Sequence, residues 1–229
     1  MKKSLINNLK SLNQILSLIK SNIVITKFLR KPFNTFVLPY FYNERKLTKD
    51  AQKWKSEKVY KTVQFSKIDS IPQEIFIKWI LNNTNKDDSI LDICCNQGRH
   101  LKVLHKNGYR KLAGFDIMEA AIEKLKESNE FLSGGIYAEQ NLAHVFIRNA
   151  SNLEYDYAIT FAGTIELIHP GFKIFEELNR VIKKGLIFAV HENGHTYPRF
   201  YRHQIESNGF KIIQHEKIGG LTILNCRKV

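Results

Sequence analysis

The chain has 229 residues, 43% of them hydrophobic, with 35 Lys/Arg against 22 Asp/Glu and only three cysteines. That is enough apolar residue for one domain with an N-terminal extension, and an ordinary share for a globular protein. Two of the three cysteines are the neighbours Cys94 and Cys95. Such spacing gives neither a disulfide framework nor a C-x-x-C zinc pair, and it points to a reduced, cytoplasmic setting.

The positive charge is unevenly placed. Residues 1–70 hold fifteen Lys/Arg against four acids, and residues 71–229 hold twenty against eighteen. Basicity therefore belongs to an N-terminal helical extension, 1–70, and the domain over 71–229 is close to neutral. Within the extension Leu5, Leu9, Leu12, Leu16, Ile19 and Ile23 recur at helical spacing. Lys10, Asn13, Gln14 and Lys20 interrupt them, so the segment reads as an amphipathic basic helix and not as a membrane span or signal peptide. Packing on the domain or a partner subunit, contact of residues 1–30 with an anionic membrane surface, and nucleic-acid binding all suit it.

Lys31-Pro32-Phe33 is expected to break that helix, and residues 39–42, Pro-Tyr-Phe-Tyr, form an aromatic hinge expected to dock on the domain. A charged stretch, 47–60, carries Trp54 and Tyr60. Ile71-Pro72 opens a helix over 73–81 and a polar linker follows, 82–88. Residues 90–94 then read as a short buried strand, 98–107 as a helix with Gly108 at its C-cap, and 111–115 as a second strand ending in Asp116.

A helix over 119–129 suits its macrodipole, with Glu119 and Glu123 early and Lys124 and Lys126 late. Residues 136–153 fit a strand over 142–147 or a helix over 139–149. A strand over 156–161, a helix over 172–182 stopped by Lys183-Lys184-Gly185, and a strand over 186–190 come next. Pro198 suits the first turn of a further helix ending at 208–209. Strands over 210–216 and 221–227 close the chain as a hairpin.

The strand, turn, helix, strand unit at 89–118 can grip a nucleoside, because ligands of open parallel sheets sit outside the C-terminal strand ends. Its turn, Asp92-Ile93-Cys94-Cys95-Asn96-Gln97-Gly98, has one glycine and is poorly suited to cradling a pyrophosphate, which counts against a dinucleotide. It resembles instead motif I of class I S-adenosylmethionine-dependent methyltransferases, an acid followed by G-x-G-x-G. Asp92 matches the acid and Gly98 the last glycine, while Cys94 and Asn96 stand where two glycines usually stand. The C-N-x-G-R-x-L turn is similar, more weakly, to methyltransferases of sugar and surface-glycan pathways. The resemblance spans about residues 85–229. It implies an α/β fold: a Rossmann-like doubly wound sheet, mostly parallel, with a C-terminal antiparallel hairpin.

It also implies S-adenosyl-L-methionine as cofactor, with Asp116 accepting the ribose hydroxyls, Ile117 and Met118 facing the adenine, Asp92 contacting the methionine amino group, and Cys94 and Gly98 lending nearby backbone. Trp54 and Tyr60 become candidates for covering the cofactor; the alternative for both is a place in the core. The loops after the later strands would then build the acceptor site: Thr164, Glu166 and His169 after 156–161, and His191, Glu192, Asn193 and His195 after 186–190. His195, His169 and Glu192 are the candidate catalytic bases for a hydroxyl, and Thr164, Glu166, His191 and Asn193 the substrate-binding set. The His-Glu-Asn-Gly-His order lacks H-E-x-x-H spacing, so no metal is expected.

A small-molecule or glycan acceptor suits these groups and the neutral domain. Two alternatives stand beside it: an RNA or DNA methyltransferase using the basic arm, and a non-catalytic adaptor whose donor turn has eroded.

Overall fold

The structure, a computed structural model, describes residues 29–40, 43–55 and 68–229. The expected helix over 5–23, Tyr60 and all but the last two residues of the expected membrane contact over 1–30 lie outside the described residues.

Seven strands form one sheet in the order β3-β2-β1-β4-β5-β7-β6. They are β1 (Ile90–Ile93), β2 (Leu112–Asp116), β3 (Ile136–Gln140), β4 (Tyr155–Phe161), β5 (Ile182–Val190), β6 (Phe210–Ile218) and β7 (Leu221–Lys228). The first five pair in parallel, while β7 runs antiparallel to both β5 and β6. This is the expected sheet, hairpin included. The hairpin turns on Gly219 and Gly220 alone, both at positive φ (56° and 78°), the demand of a type I′ turn.

Alternation along the strands divides the core in two. Leu91, Ile93, Phe115 and Phe188 face one side, where α1 (Glu44–Gln52), α6 (Ala143–Asn149), α7 (Ile174–Val181) and α8 (Tyr201–Ser207) supply Leu47, Phe146, Leu178 and Ile205. Ile90, Leu112, Ile159 and Ile187 face the other, against α2 (Ile71–Asn83), α3 (Arg99–Lys106) and α4 (Glu119–Lys126) through Phe76, Leu101 and Leu125. A short helix α5 (Asn129–Leu132) follows α4. Strands buried on both faces need continuous apolar runs, and β1 is buried at all four residues. Along the sheet, chain connections leave β1 in opposite directions, so a crevice opens at its C-terminal end.

Several boundaries differ from expectation. Of the two alternatives for residues 136–153 the helix is the one found, as α6 at Ala143–Asn149, so 142–147 is not a strand; the edge strand β3 at Ile136–Gln140 precedes it and was not anticipated. Lys183-Lys184-Gly185 does not separate helix from strand: β5 begins at Ile182, directly after α7, and pairs from there with β4. Pro198 precedes α8 by three residues and so is not in its first turn. Pro32 does not break the helix, because its own φ of −56° is helical and the chain continues through a π turn at Phe33–Val37. Of the expected aromatic hinge over 39–42, Tyr40 is 81% exposed and Phe41 and Tyr42 lie outside the described residues.

Candidate functional site

At the C-terminal ends of β1 to β5 two adjoining cavities of about 660 and 980 Å³ share Trp54, Cys94, Asp116, Gly163, Thr164 and Leu167. The smaller runs under α1 toward Ile117, Leu142, Ala143, His144 and His169. The larger runs toward Asp92, Arg99, His100, Phe161, His191 and His195.

The turn after β1 keeps a glycine-like backbone without the glycines. Cys94 and Asn96 adopt φ of 55° and 50°, and Gly98 φ of 67°. A side chain in that left-handed region costs about 1–2 kcal/mol, less for Asn, so two residues are held there against their preference. Gly98 could not be replaced as the other two are: a Cβ on it would stand 2.5 Å from Cδ1 of Leu125, which packs α4 against the start of α3.

This turn aims backbone at Asp116, the last residue of β2. One carboxylate oxygen accepts the Asn96 N–H at 2.9 Å and the other the Met118 N–H at 2.9 Å. Asp116 is buried, and desolvation raises its pKa above the ordinary value despite those bonds. Asp92, on β1, is 1% exposed; its Oδ2 has no hydrogen-bond partner and lies 3.5 Å from Nδ1 of His100. A buried carboxylate oxygen without a donor is costly, and a ligand ammonium would satisfy it. The arrangement thus fits a nucleoside that carries an amino-acid chain: a carboxylate for a diol, another for an ammonium, and an apolar slot past Ile117 and Leu142. Cys94 and Cys95 are poor nucleophiles, since burial and the two carboxylates push their thiols up.

The residues expected on the acceptor side divide. Thr164 lines both cavities, His169 the smaller, and His191 and His195 the larger, their rings 4.9 Å apart. Glu192 and Asn193 line a neighbouring cavity of about 610 Å³ at the hairpin, which His191 joins to the larger one. Glu166 is fully buried and accepts the N–H groups of Gly163, Thr164 and His191, so it ties the loop after β4 to the end of β5. Gly98 lines neither cavity and Met118 is buried beside Asp116. Among the described residues no group of three or more His, Cys, Asp or Glu could hold a metal.

Sequence reasoning named Trp54, which stands in both walls, but missed Leu47, Ala51, Asn141, His144 and His100. Only His100 carried a local signal, two residues after Gly98 at the mouth of an amphipathic helix; the others reach the crevice by tertiary packing.

Residues 66–218 match a methyltransferase-domain family model. No curated protein sequence matches the chain. Among solved structures, magnesium protoporphyrin IX methyltransferase from Synechocystis PCC 6803 with bound S-adenosylmethionine is 14% identical. It aligns with a TM-score of 0.56 over 94% of this chain and 96% of that one. A SAM-dependent methyltransferase from Aquifex aeolicus is 17% identical, TM-score 0.52, over 67% and 89%. At such identities these two speak for the fold. With the family match over most of the chain and a crevice suited to the same cofactor, the chain belongs to the methyltransferase-domain family and is a class I S-adenosylmethionine-dependent methyltransferase.

Proposed function

We propose that the enzyme methylates a hydroxyl of a small polar molecule or glycan unit, held between the loops that follow β4 and β5. The observation that carries this is the cavity of about 980 Å³, where Asp92 and Asp116 share one enclosure with Thr164, His191 and His195. S-adenosylmethionine, when bound, supplies a methyl group on a sulfonium, which needs alignment more than activation.

In this reading Asp116 accepts the ribose hydroxyls and the orphaned Oδ2 of Asp92 accepts from the methionine ammonium. Cys94 and Gly98 shape the turn beside it, and Ile117 and Leu142 give the base an apolar border, while Met118 is buried and lines neither cavity. Nδ1 of His191 lies 3.3 Å from the carbonyl oxygen of Gly220, which can only accept. The ring therefore carries its proton on Nδ1 and keeps the Nε2 lone pair, as a general base must. His195, exposed at the rim, takes the proton onward to water.

His169 has the opposite tautomer. Its Nδ1 accepts the Gly171 N–H at 3.0 Å, and burial lowers its pKa, so it serves as a neutral donor on Nε2 and the base role passes to the other two. Glu192, whose Oε1 accepts from the Thr222 hydroxyl at 2.9 Å, and Asn193 lie where a longer acceptor such as a glycan would extend.

The test is S-adenosylhomocysteine formation across a panel of sugars and other small alcohols. His191→Gln and His195→Gln are expected to lower kcat about 10²- to 10⁴-fold between them while donor affinity stays unchanged. Wild-type turnover in both variants would remove the histidine base from the reading.

A further inference from the structure

Behind the donor site lies a cavity of about 760 Å³ between the helical segment 29–40, the start of α7 and α8. Among the described residues Phe172 alone lines both it and the smaller of the two cavities at the strand ends. Three features of this cavity have no part in methyl transfer.

The first is Arg199, 1% exposed. Its Nη2 donates to the carbonyl oxygens of Ile165, at 2.8 Å, and Ile168, while its Nε has no partner. No carboxylate among the described residues hydrogen-bonds this guanidinium. Glu166, whose charge acts on it, gives both of its oxygens to backbone N–H groups. A buried cation left in that state is destabilising until an anion arrives.

The second is the N-terminus of α7. Its N-cap, Lys173, provides no side-chain acceptor, so the first-turn N–H groups of Phe175 and Glu176 have no partner within the helix, and all three residues line the cavity. The dipole there favours negative charge. Glu176 stands on the same rim but is held by Lys173 at 3.2 Å.

The third is Gln204, whose Oε1 is buried without a donor in the same wall. An acceptor without a donor and donors without acceptors, on residues that line one cavity, suit a ligand with an anionic end and a hydroxyl. Phe36, half exposed, and Tyr40 give the mouth an aromatic side.

We infer that this cavity is a second binding site, for a small hydroxylated phosphomonoester, its phosphate on Arg199 and the α7 N-terminus and a hydroxyl on Gln204. The site does not depend on which acceptor is methylated.

Full-length protein would be titrated with inorganic phosphate and with glucose 1-phosphate, sodium chloride holding ionic strength constant, and read by calorimetry and thermal shift. Saturable binding of both is expected. Arg199→Lys should weaken both by about 10-fold or more, because an ammonium that braces two carbonyls keeps a single N–H for the phosphate, where the guanidinium keeps Nε and Nη1. Gln204→Leu should weaken glucose 1-phosphate and leave inorganic phosphate unchanged. Lys173→Ala, at an exposed position that does not threaten the fold, should weaken both modestly. Vesicles containing phosphatidic acid test a lipid source for the phosphate; retention on them without binding of soluble glucose 1-phosphate would overturn the proposal. So would an effect that chloride reproduces, or binding that Arg199→Lys and Lys173→Ala leave intact.

Discussion

Asp116 has each carboxylate oxygen on one backbone N–H and is still pushed above its ordinary pKa of 3.8 by burial. Because the folded pKa is raised, the folded chain holds this proton more tightly than the unfolded one. Keeping the group ionised therefore costs stability as pH rises from 3.8 through the folded value. Ligand binding has the opposite sign, since only the carboxylate can accept two ribose hydroxyls. Donor affinity is expected to fall as pH drops through the raised pKa, earlier than an ordinary aspartate would dictate, and calorimetry across mildly acidic pH checks it. Cys94 makes a prediction of its own. At φ 55° glycine relieves strain that a β-branched residue aggravates, so Cys94→Gly should keep the thermal midpoint near wild type. Cys94→Val should lose about 1–3 kcal/mol in denaturant unfolding, and equal stability of the two variants would contradict a strained turn.

Elements were legible wherever a short apolar run ended in a turn signal. The strands at 90–94, 111–116 and 156–161 and the two-glycine hairpin lie within a residue or two of where the pattern puts them. The pattern failed at β3, an edge strand of five residues with only Ile136 and Ala138 buried, too short for its alternation to stand out from the helix behind it. It failed again at Lys183-Lys184-Gly185, where solvated lysines on the outer part of β5 look like a loop. Gly98 is where an element depends on one residue. Gly98→Ala drives a methyl group into Leu125 at a left-handed φ and should cost about 2–4 kcal/mol, with α3 displaced from α4. A chemical-denaturation midpoint unchanged from wild type would show that α4 yields instead.

Across the whole molecule, the loop after β5 is held by residues from the far end of the chain. Arg30 donates to the carbonyls of His195 and Thr196 at 3.0 and 2.8 Å, Asn34 to that of Pro198, and Thr35 accepts from the Phe200 N–H. Such pairs, some 165 residues apart, were invisible in the sequence because nothing local marks them. His195 sits at φ 60° within this clamp. That Asp92 and Asp116 both stand at the crevice was legible, each lying at or near the end of its own strand. That Asp92 would be left with an unpartnered oxygen was not, since it depends on how His100 packs between Phe76 and Phe161.

The central claim is that Asp92 and Asp116 hold the donor, and calorimetric titration of S-adenosylmethionine into wild type, Asp92→Asn and Asp116→Asn tests it most directly. Wild type should bind one equivalent. Each variant, folded by circular dichroism, should bind about 10- to 100-fold more weakly, as loss of a hydrogen bond to a charged group requires. Equal affinity in all three would place the donor elsewhere on the sheet and contradict the account.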